Sequence, residues 1–241
     1  MTGSSTYCLI DHPLDEALAL LSDYTSRVEI LSDGLHSLFY HEEICYSYDL
    51  KYSVHAPCGD INPASVNERM RRASIEALSG LSLIADRIGA DRLVVHPGHL
   101  FESGMRDAAE TALDRSLVDL AAVQEERGVR FALENMGSWD PYLFKTPDCA
   151  ERITSLGLGI TLDLGHAHLN GLAGAFLETD GIIHLHLHDN CGVFDSHNAI
   201  GNGTIPYPDL MQTFPDDATA VIETQRMDQF IQSLHYLDGL N

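Results

Sequence analysis

Eight short apolar runs, each followed by a loop and a stretch of helical periodicity, constrain this chain more than any other feature. The runs are "YCLI", "VEIL", "YSVH", "RLVVH", "RFALE", "GITLD", "IIHLHLH" and "AVIE". They are rich in Val, Ile and Leu and read as strands. Between them lie amphipathic segments, the clearest being "NERMRRASIEALSGLSLIADRIG" and "MRDAAETALDRSLVDLAAVQEERG". Both carry apolar residues at i, i+3, i+4 and i+7 and end at a glycine, as helices do. Strand and helix alternating eight times over 241 residues predicts an α/β protein, a (β/α)8 TIM barrel with its active site at the C-terminal rim. The alternative, a doubly wound open sheet, lacks support because no G-x-G-x-x-G turn follows the first run.

No low-complexity tract, Pro/Gly-rich linker or abrupt composition shift divides the sequence, so residues 1–241 read as one barrel domain. Hydrophobic residues make up 44% of the chain, enough for a sizeable core. No apolar run reaches membrane-spanning length, and "MTGSSTYCLIDHP" lacks the layout of a signal peptide, so the expected location is cytoplasmic with no membrane partner. Cys8, Cys45, Cys58, Cys149 and Cys191 are scattered without a C-x-x-C pair, which argues against both a disulfide framework and a cysteine zinc knuckle. The net charge is −22, from 36 Asp and Glu against 14 Lys and Arg. Such a surface repels phosphate backbones unless its few cations cluster. No stable protein partner is inferred.

What sits at the ends of the runs points to chemistry. From the third strand to the eighth, the last or nearly last residue is His55, His96, Glu134, Asp163, His186 and Glu223. In a parallel barrel all C-terminal strand ends meet at one rim, so three imidazoles and three carboxylates converge on one pocket. Two loops add donors. Asp163 and His166 are three apart across a strand-to-loop turn, and Asp195 and His197 are two apart in an extended segment. These nine side chains, five His and four acids, suit Zn²⁺, with Mn²⁺ or Fe²⁺ as alternatives, rather than Ca²⁺ or Mg²⁺. Nine donors exceed the needs of one tetrahedral ion, and two or three ions sharing carboxylates would use them all.

The pieces "VHAP", "VVHPG", "LEN", "LDLGHAH", "HLHD", "DSHNAIGNGTI" and "VIET" occur in the order found in endonuclease IV-like proteins (AP endonuclease family 2), and from about residue 50 to 225 the chain resembles them. That family belongs to the xylose isomerase-like TIM-barrel superfamily. The resemblance implies a trizinc site held by His55, His96, Glu134, Asp163, His166, His186, Asp195, His197 and Glu223, and hydrolysis of a phosphoester such as abasic-site DNA. Paired ions would bind phosphate and acidify a bridging water. Glu134 is the expected bridging carboxylate that orients that water. Sugar isomerases and epimerases of the superfamily keep a smaller set, matching Glu134, Asp163, His186 and Glu223, with Glu134 and Glu223 moving protons on a sugar or sugar phosphate. The chain departs from both patterns. Cys58 stands where the first group often has the tyrosine of "HAPY", and His188 stands where the second often has the lysine of "HxKD".

Further assignments are expectations of the same kind. In "HLHLHDN", alternate side chains share a face. His186 is the ligand, His188 a substrate group nearer the rim, and His184 an interior residue that needs a hydrogen-bond partner; Asp189 orients the site from its edge. Asn135 and Asn202 read as donors to substrate, Trp139 as a stacking platform, and His168 as a partner of a ligand or a surface residue. Arg69, with Arg71, Arg72 and Arg106, reads as a modest phosphate-facing patch or as solvated helix faces. His12 and Glu29 read as rim residues at the ends of the first two strands.

Overall fold

In the computed structural model, which describes residues 2–240, eight parallel strands pair in sequential order and close into a barrel. They are β1 Gly3–Ser5, β2 Arg27–Leu31, β3 Lys51–His55, β4 Arg92–Val95, β5 Arg130–Glu134, β6 Gly159–Asp163, β7 Ile182–Leu187 and β8 Thr219–Ile222. Closure runs from Gly3 to Val221 and from Ser4 to Ile222. The helices are α1 Leu14–Ser22, α2 Leu38–His41, α3 Glu68–Arg87, α4 Arg106–Glu125, α5 Ala150–Thr154, α6 Leu164–Leu169, α7 Ala173–Leu177, α8 Tyr207–Leu210 and α9 Met227–Asp238. The (β/α)8 architecture follows, with full-length helices after β3 and β4 and only short ones after β2, β5, β6 and β7.

The two long helices form where the sequence supplies a start and an inward stripe. Asn67 caps α3 by accepting from the Arg69 amide at 3.1 Å, and Gly89, at φ 72°, takes the left-handed turn beyond its end. Leu78, Leu81 and Ala85 of α3 are buried, as are Leu113, Leu117 and Leu120 of α4. Each buried Leu contributes about 1.5–3 kcal/mol relative to exposure. Among the described residues, no helix is long and apolar enough to cross a membrane.

The first strand is not the apolar run "YCLI". Pairing to β2 and β8 is completed by Gly3–Ser5, after which Thr6–Leu9 winds into a 3-10 turn started by the Ser5 side chain, which accepts from the Tyr7 amide. Cys8 and Leu9 are buried by that turn rather than by a ladder. His12 consequently lies in an exposed loop, 3.5 Å from Glu16, and does not end a strand.

Inside the barrel, below the rim, the filling is polar. Glu29 is in register with Ser53, and Thr161 with His184, and all four are fully buried. Residues in register on neighbouring strands point to the same side. Glu29 is therefore a mid-strand interior residue rather than a rim residue.

Candidate metal centre

Each donor predicted from the strand ends arrives at the C-terminal rim. His55, Glu134 and Asp163 are the last residues of β3, β5 and β6, and His186 is the penultimate residue of β7. His96 and Glu223 directly follow β4 and β8. His166 joins them because Asp163 caps α6: its Oδ1 accepts from the His166 amide at 2.7 Å, which places that side chain one turn in. Asp195 and His197 lie on the loop after β7.

Asp189 holds that loop from beneath. It is buried, pairs main chain to main chain with Asn198, and accepts from the amides of Asn190 at 2.9 Å, Gly201 at 2.9 Å and Ile205 at 3.2 Å. His197 sits at φ 42°, a left-handed conformation rare for a side chain of this kind.

The donors form three overlapping groups. Glu134 Oε2 lies 3.0 Å from His55 Nε2 and 3.2 Å from His96 Nε2. Its other oxygen is 3.5 Å from His186 Nδ1, which also faces Glu223 Oε2 at 3.3 Å and Asp163 Oδ2 at 3.8 Å. Asp195 Oδ2 is 3.0 Å from His166 Nε2 and 2.9 Å from His197 Nε2. Ligand atoms of Glu134, Asp163, His186 and Glu223 all lie within 4.8 Å of one another, as do those of His166, Asp195 and His197. His55 and His96 form such a group with Cys58.

The residues fit a metal ion, and the proton count says why. A carboxylate only accepts hydrogen bonds. His186 Nδ1 has no hydrogen-bond partner although it is fully buried among three carboxylates, so a proton or a cation must stand between them. The other rings are wired for the same role. His55 Nδ1 donates to the Ala56 carbonyl at 2.7 Å, His166 Nδ1 to that of Asn135 at 2.9 Å, and His197 Nδ1 to that of Glu223 at 2.9 Å. Each leaves Nε2 facing an acid, the arrangement of an oriented metal-binding imidazole.

Burial works against charge on these rings, but the acids prevail. Asp163 and Asp195 hold His166 well above the ordinary imidazole range, Glu223 and Glu29 do the same for His186, and Asp195 holds His197 up at about 9. Burial likewise opposes ionisation of Glu134, yet His186 and His96 hold its carboxyl well below the usual range. The acids that hold these rings charged are the same ones that would face a divalent cation bound among them.

Above these groups opens a cavity of about 530 Å³, walled in part by Tyr7, Leu31, Asp33, Met136 and Tyr142. Among the described residues that line it, none is Lys or Arg. Five residues expected to touch substrate, His188, Asn135, Asn202, Trp139 and Arg69, are not among those that line it. His188 is fully buried, its Nε2–H donating to Asp163 at 3.1 Å and its ring stacked on His197 at 3.9 Å. Asn135 is consumed by the main chain of Asp163, donating to its carbonyl and accepting from its amide. Trp139 is exposed and packs edge-on against Tyr142, and Arg69 is exposed on the first turn of α3.

The other three arginines of the expected patch are paired elsewhere. Arg71 is paired with Glu68 and Asp119, Arg72 with Glu68, and Arg106 with the carbonyls of Asp140 and Tyr142. Asn202 pairs with Gln232, and His168 with Thr204. Tyr7, Tyr142 and Asp33 carry no motif that sequence reasoning could have read. Glu29 did carry one, a lone acid inside an apolar strand.

The chain is 37% identical over 228 residues to the uncharacterized protein MJ1614 of Methanocaldococcus jannaschii, covering 92% of this chain and 90% of that one. A solved D-tagatose 3-epimerase-like protein superposes with a TM-score of 0.89 at 29% identity, covering 99% of this chain and 96% of the other. The IolI protein, solved with a bound zinc atom, shares the fold with a TM-score of 0.82 at 18% identity, over 99% and 97% of the two chains. Residues 40–239 match the Xylose isomerase-like TIM barrel family, and the chain belongs to it.

Proposed function

We propose that this protein is a metal-dependent sugar isomerase or epimerase. One observation carries the reading: His186 Nδ1, without a hydrogen-bond partner, is ringed by Glu134, Asp163 and Glu223 below a cavity whose described lining holds no Lys or Arg. A nucleic-acid backbone calls for cations in such walls beside any metal, whereas a neutral polyol needs hydrogen-bonding groups and a platform. The likeness to a D-tagatose 3-epimerase-like protein supports the same substrate class, and the IolI protein, of the same fold, was solved with a bound zinc atom. This preference reverses the expectation of a phosphoester hydrolase acting on abasic DNA.

Glu134, Asp163, His186 and Glu223 would hold the ion. When bound there, a divalent cation such as zinc polarises a substrate carbonyl and acidifies the adjacent C–H. Glu134 and Glu223 are the acids able to move that proton. One carboxylate takes it while the C–H electron pair passes into the adjacent carbonyl. The other acid, once it has taken up a proton from solvent, returns it to the same carbon from the opposite face, or to the former carbonyl carbon while the hydroxyl proton passes to the former carbonyl oxygen. Tyr7 and Tyr142 supply walls for the carbon chain, and Asp33 accepts from substrate hydroxyls.

A second reading, phosphoester hydrolysis, is favoured by the additional donor groups. His55 and His96 face the far oxygen of Glu134, and His166 with His197 flanks Asp195, so two or three ions fit. The experiment is solvent deuterium incorporation into ketohexoses followed by NMR, run beside a nicking assay on abasic-site duplex at low salt, with metal content measured on the same protein. Exchange at carbon next to the carbonyl supports the first reading. Nicking without exchange, by protein holding two or three ions, replaces it with the second.

A further inference from the structure

Beneath the metal centre, and outside the reaction proposed above, lies a carboxylate that is not among the residues lining the cavity. Glu29, midway along β2, is fully buried between two rings of β7. Its Oε2 accepts from His184 Nε2 at 3.0 Å, and its Oε1 lies 2.8 Å from His186 Nε2. His184 Nδ1 in turn is 2.7 Å from the Thr219 hydroxyl. The Glu29–His186 approach is close but not yet linear, and neither Glu29 Oε1 nor His186 Nε2 has another partner.

The hydrogen positions in this chain are forced. An ionised carboxylate offers no proton, so each ring nitrogen that faces it must carry one. One imidazole nitrogen faces each oxygen of Glu29, His184 Nε2 at Oε2 and His186 Nε2 at Oε1, and a buried carboxylate so placed is the acceptor for both rings. His184 is then the Nε2–H tautomer and accepts from the Thr219 hydroxyl. His186 also carries a proton at Nε2, so Nδ1, which a second proton occupies in the metal-free ring, is the nitrogen that gives its lone pair to an ion held among Glu134, Asp163 and Glu223. His186 is wired the reverse way from His55, His166 and His197, which donate from Nδ1 to main-chain carbonyls and present Nε2.

We infer that Glu29 is a positioning residue for the metal centre, fixing the tautomer and tilt of His186 from the barrel interior while His184 and Thr219 hold its second oxygen in place. An anion on the far nitrogen also raises the basicity of a ligating imidazole. The inference rests on the proposal that Glu134, Asp163, His186 and Glu223 bind a metal ion.

Two measurements test it on the full-length protein. Long-range ¹H–¹⁵N correlation spectra of the metal-free wild type should show His186 carrying a proton on Nε2, alone or with a second on Nδ1. A ring protonated on Nδ1 alone would overturn the inference whatever the metal does. Zinc affinity by chelator competition should fall about 10-fold in Glu29→Gln, which keeps one acceptor, and about 100-fold in Glu29→Leu, which keeps none, the range found for partners of metal-binding histidines. Thermal unfolding in chelator checks that both variants are folded, and the Gln variant with the tautomer spectrum decides the matter should the Leu variant not fold. Wild-type protein that binds zinc while Glu29→Gln binds it equally would overturn this inference and leave the functional reading standing. Wild-type protein that binds no zinc would overturn both.

Discussion

Gly165 lies in the first turn of α6, and replacing it by alanine sets two rules against each other. In an ordinary helix Gly→Ala is stabilising by about 1 kcal/mol. Here a Cβ would stand 2.0 Å from His188 Cε1 and 2.5 Å from its Nε2. Ordinary contact begins near 3.4 Å, so the ring would have to retreat by about 1.4 Å. It has nowhere to go. His188 is fully buried, stacked on His197 at 3.9 Å, and bonded to both oxygens of Asp163 at 3.1 Å. Overpacking costs about 1–3 kcal/mol. Loss of a hydrogen bond to a charged acceptor adds about 1.5–3 kcal/mol. The clash outweighs the helix gain, and Gly165→Ala should lose about 2–5 kcal/mol. Zinc affinity should fall as well, because Asp163 loses the ring that holds it. Urea unfolding with and without chelator reads the first effect, and chelator competition the second. A Gly165→Ala protein about 1 kcal/mol more stable than wild type, with zinc affinity intact, would refute the reasoning.

Three other outcomes are expected. Burial depresses the His36 pKa, although a hydrogen bond from its Nε2 to the His12 carbonyl at 2.9 Å works the other way. Below pH about 6.5 the unfolded chain binds a proton that folded His36 refuses, so its stabilising contribution is present above that pH and is lost as pH falls toward the depressed folded value. The wild-type stability curve should therefore drop more steeply than that of His36→Gln between pH 6.5 and 5, and parallel curves would contradict this. Thiol reagents should modify exposed Cys58 and Cys191 in the native protein but spare Cys8 and Cys45, whose thiols burial pushes up to about 11 and about 12. Rapid native labelling by mass spectrometry would contradict the packing of the Thr6–Leu9 turn in the case of Cys8, and of the Glu42–Ser47 segment in the case of Cys45. Asp189→Ala removes the acceptor of the Asn190, Gly201 and Ile205 amides, and a loss of about 3–5 kcal/mol in urea unfolding is expected. A loss below about 1 kcal/mol would mean that the loop carrying Asp195 and His197 is held by something else.

The rim was legible in the sequence because a parallel barrel converts chain position into spatial position. A donor at the end of each of six successive strands must arrive at one face, and His55, His96, Glu134, Asp163, His186 and Glu223 do. Depth was not legible in the same way. His188 follows His186 by two residues and shares its face, but only the packing of Gly165 and His197 shows that it is sealed beneath the cavity. Asn135 looks like a free amide until the main chain of Asp163 is brought beside it. The arginines illustrate a long-range effect, since Arg71 is neutralised in part by Asp119, 48 residues away. The first strand was misplaced because an apolar run records burial, and burial in the Thr6–Leu9 turn leaves the same trace as burial in a sheet.

Asp163 is asked to be several things with two oxygens. One oxygen starts α6 through the His166 amide, both receive the His188 ring, and one faces His186 in the metal group. Asparagine would keep the helix start, but its amide would meet the His188 N–H with one acceptor too few and no charge for the ion. Glutamate would keep the charge and overreach the cap. Serine would cap and do nothing else. The vocabulary of acceptable residues at this position shrinks to a single word, and any lineage that drifts there must rewrite the helix, the ring and the ion together.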